Sequence, residues 1–472
     1  MNIIELITSH NSYDAEMAQT LLMCHHSFIT SVELLKCLVY RYETIIPPPN
    51  LNSREFQTWF EIKCKPIQQN VLKVVGFWIK NYFQEDFALN EILTSNARDF
   101  IDKVVVIDWE VNGKLLLGTL DLQFANMGMI NIQSKQQVSK QFVPKVLGIF
   151  SGFDPNSIFL DASKILDLDP GEFAKQLTLF EFEEFSVVRP SECLDQIWSA
   201  KIQKELAAAK LQALSRKEHS SKKAQFKEYM SAPESAIAKM IARTNKLSLW
   251  IATTIISCTN PKLRLQVLKY FAHCAIKCRE LHNYNGITGI VAGISMAPVA
   301  RLHKTWRKFG KYYQGIFVDY EDAAAVVSPK GQYANYRKEL KDIALPAIPF
   351  LGVYLTDITF IELGNTEVIA NPADPNPSRS NRIINFDKCR KISAVIKEIQ
   401  RFQVVKFSYS ALDGLQEFFG RIGETTTTFS SSNDTNPGLS GLSISSEDKL
   451  YNQSLLLEPR EAEVGDDSDD ET

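Results

Sequence analysis

Residues 345–365 read LPAIPFLGVYLTDITFIELGN. Pro349 falls where a first helical residue would sit, a place that tolerates proline because its N–H has no helical partner. Gly364-Asn365 ends the run with the pair suited to a left-handed cap. Between them, over about 350–363, Phe350, Leu351, Val353, Tyr354, Leu355, Ile358, Phe360 and Ile361 are apolar on more than one side of a 3.6-residue repeat, the pattern of a buried helix. Turn formers follow: Ala370-Asn371-Pro372-Ala373-Asp374-Pro375-Asn376-Pro377-Ser378. Phe386, Ile392, Val395, Ile396, Ile399 and Phe402 then recur at helical spacing through 385–403, with Lys388, Lys391, Lys397 and Arg401 around them. The spacing predicts a helical hairpin over 346–402.

Working outward, a chain of 472 residues accommodates two or three domains. Its 45% hydrophobic and 23% charged residues are ordinary for globular protein, and a net charge of −3 points to neither nucleic acid nor an acidic substrate. Cysteines at 24, 37, 64, 193, 258, 274, 278 and 389 fall mostly inside apolar helical patterns, which predicts reduced core thiols and not a disulfide framework. The start lacks a signal-peptide pattern, no apolar run reaches the roughly 18–20 residues of a membrane span, and the C-terminal Asp-Glu-Thr is no prenylation box.

Residues 1–103 read as helices. Thr30 or Ser31 caps a run with Leu34, Leu35, Leu38 and Val39 on one face, Pro47-Pro48-Pro49-Asn50 breaks it, and Pro66 opens another with Val71, Leu72, Val75, Trp78 and Ile79 on one stripe. Over 104–143, a linker in this reading, Val104–Ile107 and Leu115–Leu117 are candidate short strands around Asn112-Gly113, a type I′ hairpin signal. Asp169 caps a helix with Pro170 at its first position, and Ser191 is a candidate cap for another. Residues 201–233 are basic: a solvated helix, or a transient contact with an anionic membrane surface. Residues 240–309 are helical again. Ser328-Pro329-Lys330-Gly331 opens a helix holding Tyr333 and Tyr336. Residues 407–424 extend the helix that begins at 385. Residues 425–449 are rich in Thr, Ser and Gly, as in disordered segments. Residues 461–472 read as an acidic tail.

Constellations that would carry covalent chemistry do not assemble. Cys274, Cys278 and His282 lie at i, i+4, i+8 of one helix, where a packed face is the better reading than zinc. Gly286, Gly289 and Gly293 follow no strand and form no phosphate loop. No triad is legible, and His25-His26 reads as packing. No metal and no cofactor are expected.

PAIPFLGVYLTDITFIELGN followed by INFDKCRKISAVIKEIQRFQ resembles the catalytic hairpin of the Ras-family guanine-nucleotide exchange factors, the Cdc25-homology domain. HSFITSVELLKCLVYRY with PIQQNVLKVVGFWIKNYFQEDF resembles their N-terminal Ras exchanger motif. AKQLTLFEFEEFSVVRPSECL and the stretch from Leu263 to Trp306 resemble further blocks of the exchange domain, whose start is similar to residues 144–150 and whose closing motif is similar to 450–460. The resemblance implies an all-α protein: an N-terminal helical bundle module (1–103), then a larger helical exchange domain (144–424) with a protruding hairpin. It implies a Ras-family small GTPase as partner, of Ras or Rap subtype, and a cytoplasmic protein recruited to the inner face of the plasma membrane.

By position, the resemblance puts Thr356, Asp357, Thr359, Glu362 and Leu363 on the wedge that opens the nucleotide site. Tyr333, Tyr354, Asn365, Lys391, Arg243 and Asn245 become candidate GTPase contacts, with Asn283, Asn285, Arg301 and Pro349 as structural support. Thr356, Thr359 and Leu363 share one helix face. The family usually carries an acid at the position of Leu363; here the acid is Glu362, about 100° round the helix. An active exchange factor and a non-catalytic GTPase-binding adaptor both remain open on this reading.

Overall fold

The computed structural model describes residues 2–137, 162–198, 235–370, 382–422 and 446–460. The segment resembling the start of the exchange domain (144–150), the basic run 201–233, the Thr/Ser-rich stretch from 425 to 445 and the acidic tail 461–472 lie outside the described residues. Among the described residues the fold is all helix apart from one two-stranded ribbon. No described helix is long and apolar enough to cross a membrane. The chain divides into two compact units: Met1–Val146 with Arg189–Pro233 and Leu355–Lys397, and Leu147–Val188 with Glu234–Tyr354 and Glu398–Thr472.

In the first unit, Thr30 caps the helix Ser31–Glu43 in a reciprocal box with Glu33, and Pro66 enters the first turn of Lys65–Asn81. Val71, Val75, Trp78 and Ile79 are fully buried, as the stripe requires. The core also holds a carboxylate. Asp86 accepts from Trp78 Nε1 at 2.6 Å and Ser31 Oγ at 2.9 Å, with His26 Nε2 at 2.8 Å. His25, the neighbour of His26, is held between the Leu22 carbonyl and Ser31 Oγ. A buried acid persists only when its lone pairs are satisfied, and here an indole, a hydroxyl and an imidazole meet them.

The expected strands at 104–117 are not formed. Val106–Asp108 is a helical turn and Glu110–Gln137 a continuous helix. Leu116 and Leu120 bury on one side while Val111 and Leu115 stay exposed, so the short apolar runs were faces of a helix. Gly113 is not a hairpin residue: its missing Cβ lets Val106 approach, where an added carbon would lie 2.6 Å from Val106 Cγ2.

In the second unit, Asp169 caps Pro170–Ser186 by accepting from the Glu172 N–H at 3.0 Å. Phe173 from that helix, Trp250 from Ala236–Ser257, Phe271 from Pro261–Glu280 and Phe418 and Phe419 from Asp413–Arg421 form an edge-to-face aromatic core. The glycines of Tyr284–Ile294 serve close helix packing: a Cβ on Gly293 would stand 2.6 Å from the Ser248 carbonyl oxygen.

The helix expected to run on through 407–424 stops at Arg401, and a separate helix begins at Asp413. The buried side chain of Gln176 holds the intervening chain, donating to the Ser410 carbonyl and accepting from the Leu412 N–H, each at 2.9 Å. Ser191 caps nothing; Pro190–Cys193 is a short 3₁₀ turn. The helix near the end of the chain runs Ser446–Leu457, so it takes in 446–449, read above as the end of the Thr/Ser-rich stretch, and stops before 460. Arg301 donates to the Ser454 carbonyl at 2.7 Å and the Glu458 carbonyl at 2.8 Å, and the Glu458 carboxylate caps the helix His303–Tyr312 through the N–H groups of Lys304 and Thr305.

Candidate functional site

The first hairpin helix spans Leu351–Gly364. Pro349 therefore lies two residues ahead of it and not in its first turn. The root is fixed by the chain before the helix: the Ile348 N–H donates to the His282 carbonyl and the Tyr284 N–H to the Ile348 carbonyl, both at 2.9 Å. The Phe350 N–H donates to Tyr336 Oη at 2.8 Å.

Asn283 and Asn285 converge on one buried carboxylate, that of Glu181. Asn283 Oδ1 caps the helix Tyr284–Ile294 by accepting from the Gly286 N–H at 2.8 Å. Its Nδ2 donates to Glu181 Oε2 at 2.8 Å, and Asn285 Nδ2 donates to Glu181 Oε1 at 2.9 Å. Glu181 is the residue that sequence reasoning missed. Burial pushes its carboxyl up to about 7 although both amides favour the charged form. The signal was present: an acid at the i+4 place of the stripe Phe173, Leu177, Phe185, where every other member is apolar and buried.

Along the hairpin helix, Val353, Leu355 and Ile358 are buried. Thr356 is exposed, Asp357 and Thr359 are half-buried, and Thr359 Oγ1 is turned back onto the Leu355 carbonyl at 2.8 Å. Leu363 is 75% exposed and Phe360 64% exposed. Thr356, Phe360 and Leu363, at i, i+4 and i+7, thus form an open face whose two largest members are apolar. Phe360 was not singled out from sequence because it read as one more core residue.

Glu362 points elsewhere. Its carboxylate accepts from the Asp195 N–H at 3.0 Å and Gln196 Nε2 at 3.2 Å. Partial burial raises its carboxyl above the ordinary range. Asp195 and Gln196 both hold left-handed backbone, with φ of 51°, to present these donors.

The helix does not end in a left-handed glycine. The Asn365 side chain closes it, donating to the Ile361 carbonyl at 2.8 Å, and Asn365 Oδ1 accepts from Lys391 Nζ at 3.1 Å. Asn365 and Lys391 thereby tie the two hairpin helices together, the second being Phe386–Arg401. Between them runs the ribbon Val368–Ala370 paired antiparallel with Arg382–Ile384, which the turn-rich reading did not foresee.

Tyr333 follows Gly331 and Gln332 in a left-handed run, its own φ being 61°. This conformation costs a non-glycine residue roughly 1–2 kcal/mol; it leaves the Tyr333 ring half-exposed, 6.1 Å from Phe350. Asn245 is exposed. Tyr354 is buried beside Phe402, and Arg243 donates to the Glu184 carboxylate and the Gly420 carbonyl, so both serve the interior of their unit in this structure.

Residues 1–100 match the RasGEF N-terminal motif and residues 172–390 the RasGEF domain. The chain therefore carries a RasGEF domain behind a RasGEF N-terminal motif. It is 26% identical to "Cell division control protein 25" of Saccharomyces cerevisiae over 97% of this chain and 26% of that protein. It is 26% identical to "Ras guanine nucleotide exchange factor A" of Dictyostelium discoideum over 98% of this chain and 65% of the relative. It is 26% identical to "Protein son of sevenless" of Drosophila melanogaster over 97% of this chain and 26% of the relative. The chain thus spans between about a quarter and two thirds of the length of these relatives.

Proposed function

We propose that this chain is a guanine-nucleotide exchange factor that promotes GDP release from, and GTP loading of, a Ras-family small GTPase of Ras or Rap subtype. The observation that carries the reading is the open face Thr356–Phe360–Leu363 on a helix buried along its other sides, inside the RasGEF match. Such a helix is rigid enough to displace a switch segment and crowd the nucleotide site. Exchange of this kind involves no covalent step. The factor binds the nucleotide-free GTPase best, and by reciprocity that binding weakens the nucleotide's hold, about 1.4 kcal/mol per tenfold.

Tyr333, Thr356, Asp357 and Thr359 are the proposed contacts near the GTPase switch, with Phe360 and Leu363 at the wedge. Asn365 and Lys391 keep the hairpin closed. The protein acts in the cytoplasm and is drawn to the inner face of the plasma membrane, with 201–233 as the basic contact. The test is release of a fluorescent guanine nucleotide from a panel of Ras and Rap GTPases with catalytic amounts of this protein. Acceleration on at least one member is expected, and none on any member overturns the reading. One observation favours the adaptor alternative: the open face has no carboxylate, since Glu362 is held by Asp195 and Gln196. An adaptor would bind the GTPase in the same assay without changing the release rate.

A further inference from the structure

We propose that Cys24 and Cys389 form an oxidation site, a thiol pair that closes to a disulfide between the helix Ala15–Cys24 and the second hairpin helix. Both belong to the first unit and both are buried free cysteines. Cys24 Sγ lies 3.6 Å from the Cys389 carbonyl oxygen. One turn along each helix, Thr20 Oγ1 meets Ser393 Oγ at 3.4 Å. The two helices therefore face each other in an antiparallel register, 20 with 393 and 24 with 389. Small side chains stand at both contacts, and the bridge requires the Cys24 sulfur to turn from the Cys389 carbonyl to the Cys389 sulfur.

The two thiols also differ in readiness. The contact with Cys24 holds the Cys389 thiol below its ordinary range despite burial, and Lys388 adds to this. The same contact, together with burial, pushes Cys24 up. Cys274 and Cys278, by contrast, are pushed well up by burial and remain thiols. Cys389 is thus the nucleophile and Cys24 the resolving thiol.

The oxidant is hydrogen peroxide. The Cys389 thiolate attacks one peroxide oxygen; the S–O bond forms, the O–O bond breaks, and hydroxide leaves and is protonated to water. Cys24 sulfur then attacks the sulfenic sulfur. The S–S bond forms, the S–O bond breaks, and the departing hydroxide leaves as water with the Cys24 proton. Two thiols and one peroxide become one disulfide and two waters.

The bridge covalently joins the N-terminal helices to the hairpin and, resting on the exchange reading above, slows nucleotide release by fixing the hairpin. The full chain is treated with peroxide, blocked with iodoacetamide and digested for mass spectrometry. A Cys24–Cys389 cross-linked peptide lacking two hydrogens is expected, reversed by dithiothreitol and absent from Cys24→Ser and Cys389→Ser. Alanine at either position serves where serine disturbs folding. Absence of that peptide under peroxide that oxidises the half-buried Cys37 overturns the site. This readout involves no nucleotide, so it stands or falls apart from the exchange reading. With the bridge formed, release is expected to fall several-fold and recover with dithiothreitol; an unchanged rate in a protein whose reduced form is active overturns the regulatory role.

Discussion

The Glu362 carboxylate accepts the backbone N–H of Asp195 at 3.0 Å, while the next residue, Leu363, stands 75% exposed on the hairpin helix. Two neighbours about 100° apart on a helix have been given different work. The acid fastens the hairpin to the turn after Pro190–Cys193, and the leucine faces outward. Glu362→Ala removes two hydrogen bonds and leaves the Asp195 N–H without this acceptor. It should lower stability by about 1 kcal/mol in urea unfolding and leave most of the exchange rate. Loss of all exchange with stability intact would mean that Glu362 swings out to the GTPase.

On the proposed wedge, Leu363 would supply bulk but no hydrogen-bond acceptor. Under that proposal, Leu363→Glu adds a carboxylate on the face turned towards the GTPase's magnesium- and phosphate-binding groups. If about 1.4 kcal/mol of transition-state stabilisation is gained, nucleotide release accelerates about tenfold. Leu363→Ala should slow it by removing bulk. A slower Leu363→Glu would show that the face bearing Leu363 is not turned towards the nucleotide.

Phe360 is 64% exposed, and nothing in the fold requires an aromatic ring there. Phe360→Ala should shift the unfolding free energy by less than about 0.5 kcal/mol. Large exposed aromatics at the centre of an interface commonly contribute about 2 kcal/mol to binding when truncated. Nucleotide release should then fall by more than tenfold at subsaturating protein. Equal losses in stability and activity would place Phe360 in the core.

Arg301 holds the closing helix by donating to the Ser454 and Glu458 carbonyls, and its guanidinium also lies over the Tyr451 ring. Lysine has neither the fork nor the flat cation, so Arg301→Lys is not conservative here. We expect a loss of about 2 kcal/mol and faster hydrogen exchange confined to 446–460 and the start of the helix His303–Tyr312. Unchanged protection in both segments would show that Glu458 alone holds the junction.

Helices with strong caps were legible, Thr30 with Glu33 and Asp169 with Pro170, and the first hairpin helix was legible from its apolar residues alone, since its expected caps did not form. What failed did so for local reasons. Val104–Ile107 and Leu115–Leu117 are too short to show a period, and Asn112-Gly113 mimics a turn that only the packing of Val106 rules out. The break after Arg401 depends on Gln176, more than two hundred residues earlier, which no local pattern reports. At the site, position along the helix placed Thr356, Thr359 and Leu363 on one face; Thr359 instead turns back onto the Leu355 carbonyl, and Phe360 stands open in its place. The direction of Glu362 was invisible because its partners Asp195 and Gln196 are distant in sequence.

Glu181 is fully enclosed between the amides of Asn283 and Asn285. Burial raises its carboxyl from 4.5 to about 7; the two amides oppose this by smaller amounts, and the nearby Glu184 charge adds a little to it. In the unfolded chain the acid releases its proton near 4.5; in the folded protein it keeps it to about 7. Between those values the folded state binds more protons, so this group's contribution falls as pH rises, by about 3 kcal/mol in all. Below pH 4.5 its stabilising contribution is fully present, and above pH 7 no more is lost. Other carboxylates titrate in the same window, so the comparison must be internal. Glu181→Gln is neutral throughout and mimics the protonated acid in size. Measured by urea unfolding, the variant should gain on the native protein by about 2–3 kcal/mol between pH 5 and pH 7. Parallel curves for the two proteins would show that Glu181 is already ionised at pH 5 and that its two amides outweigh burial.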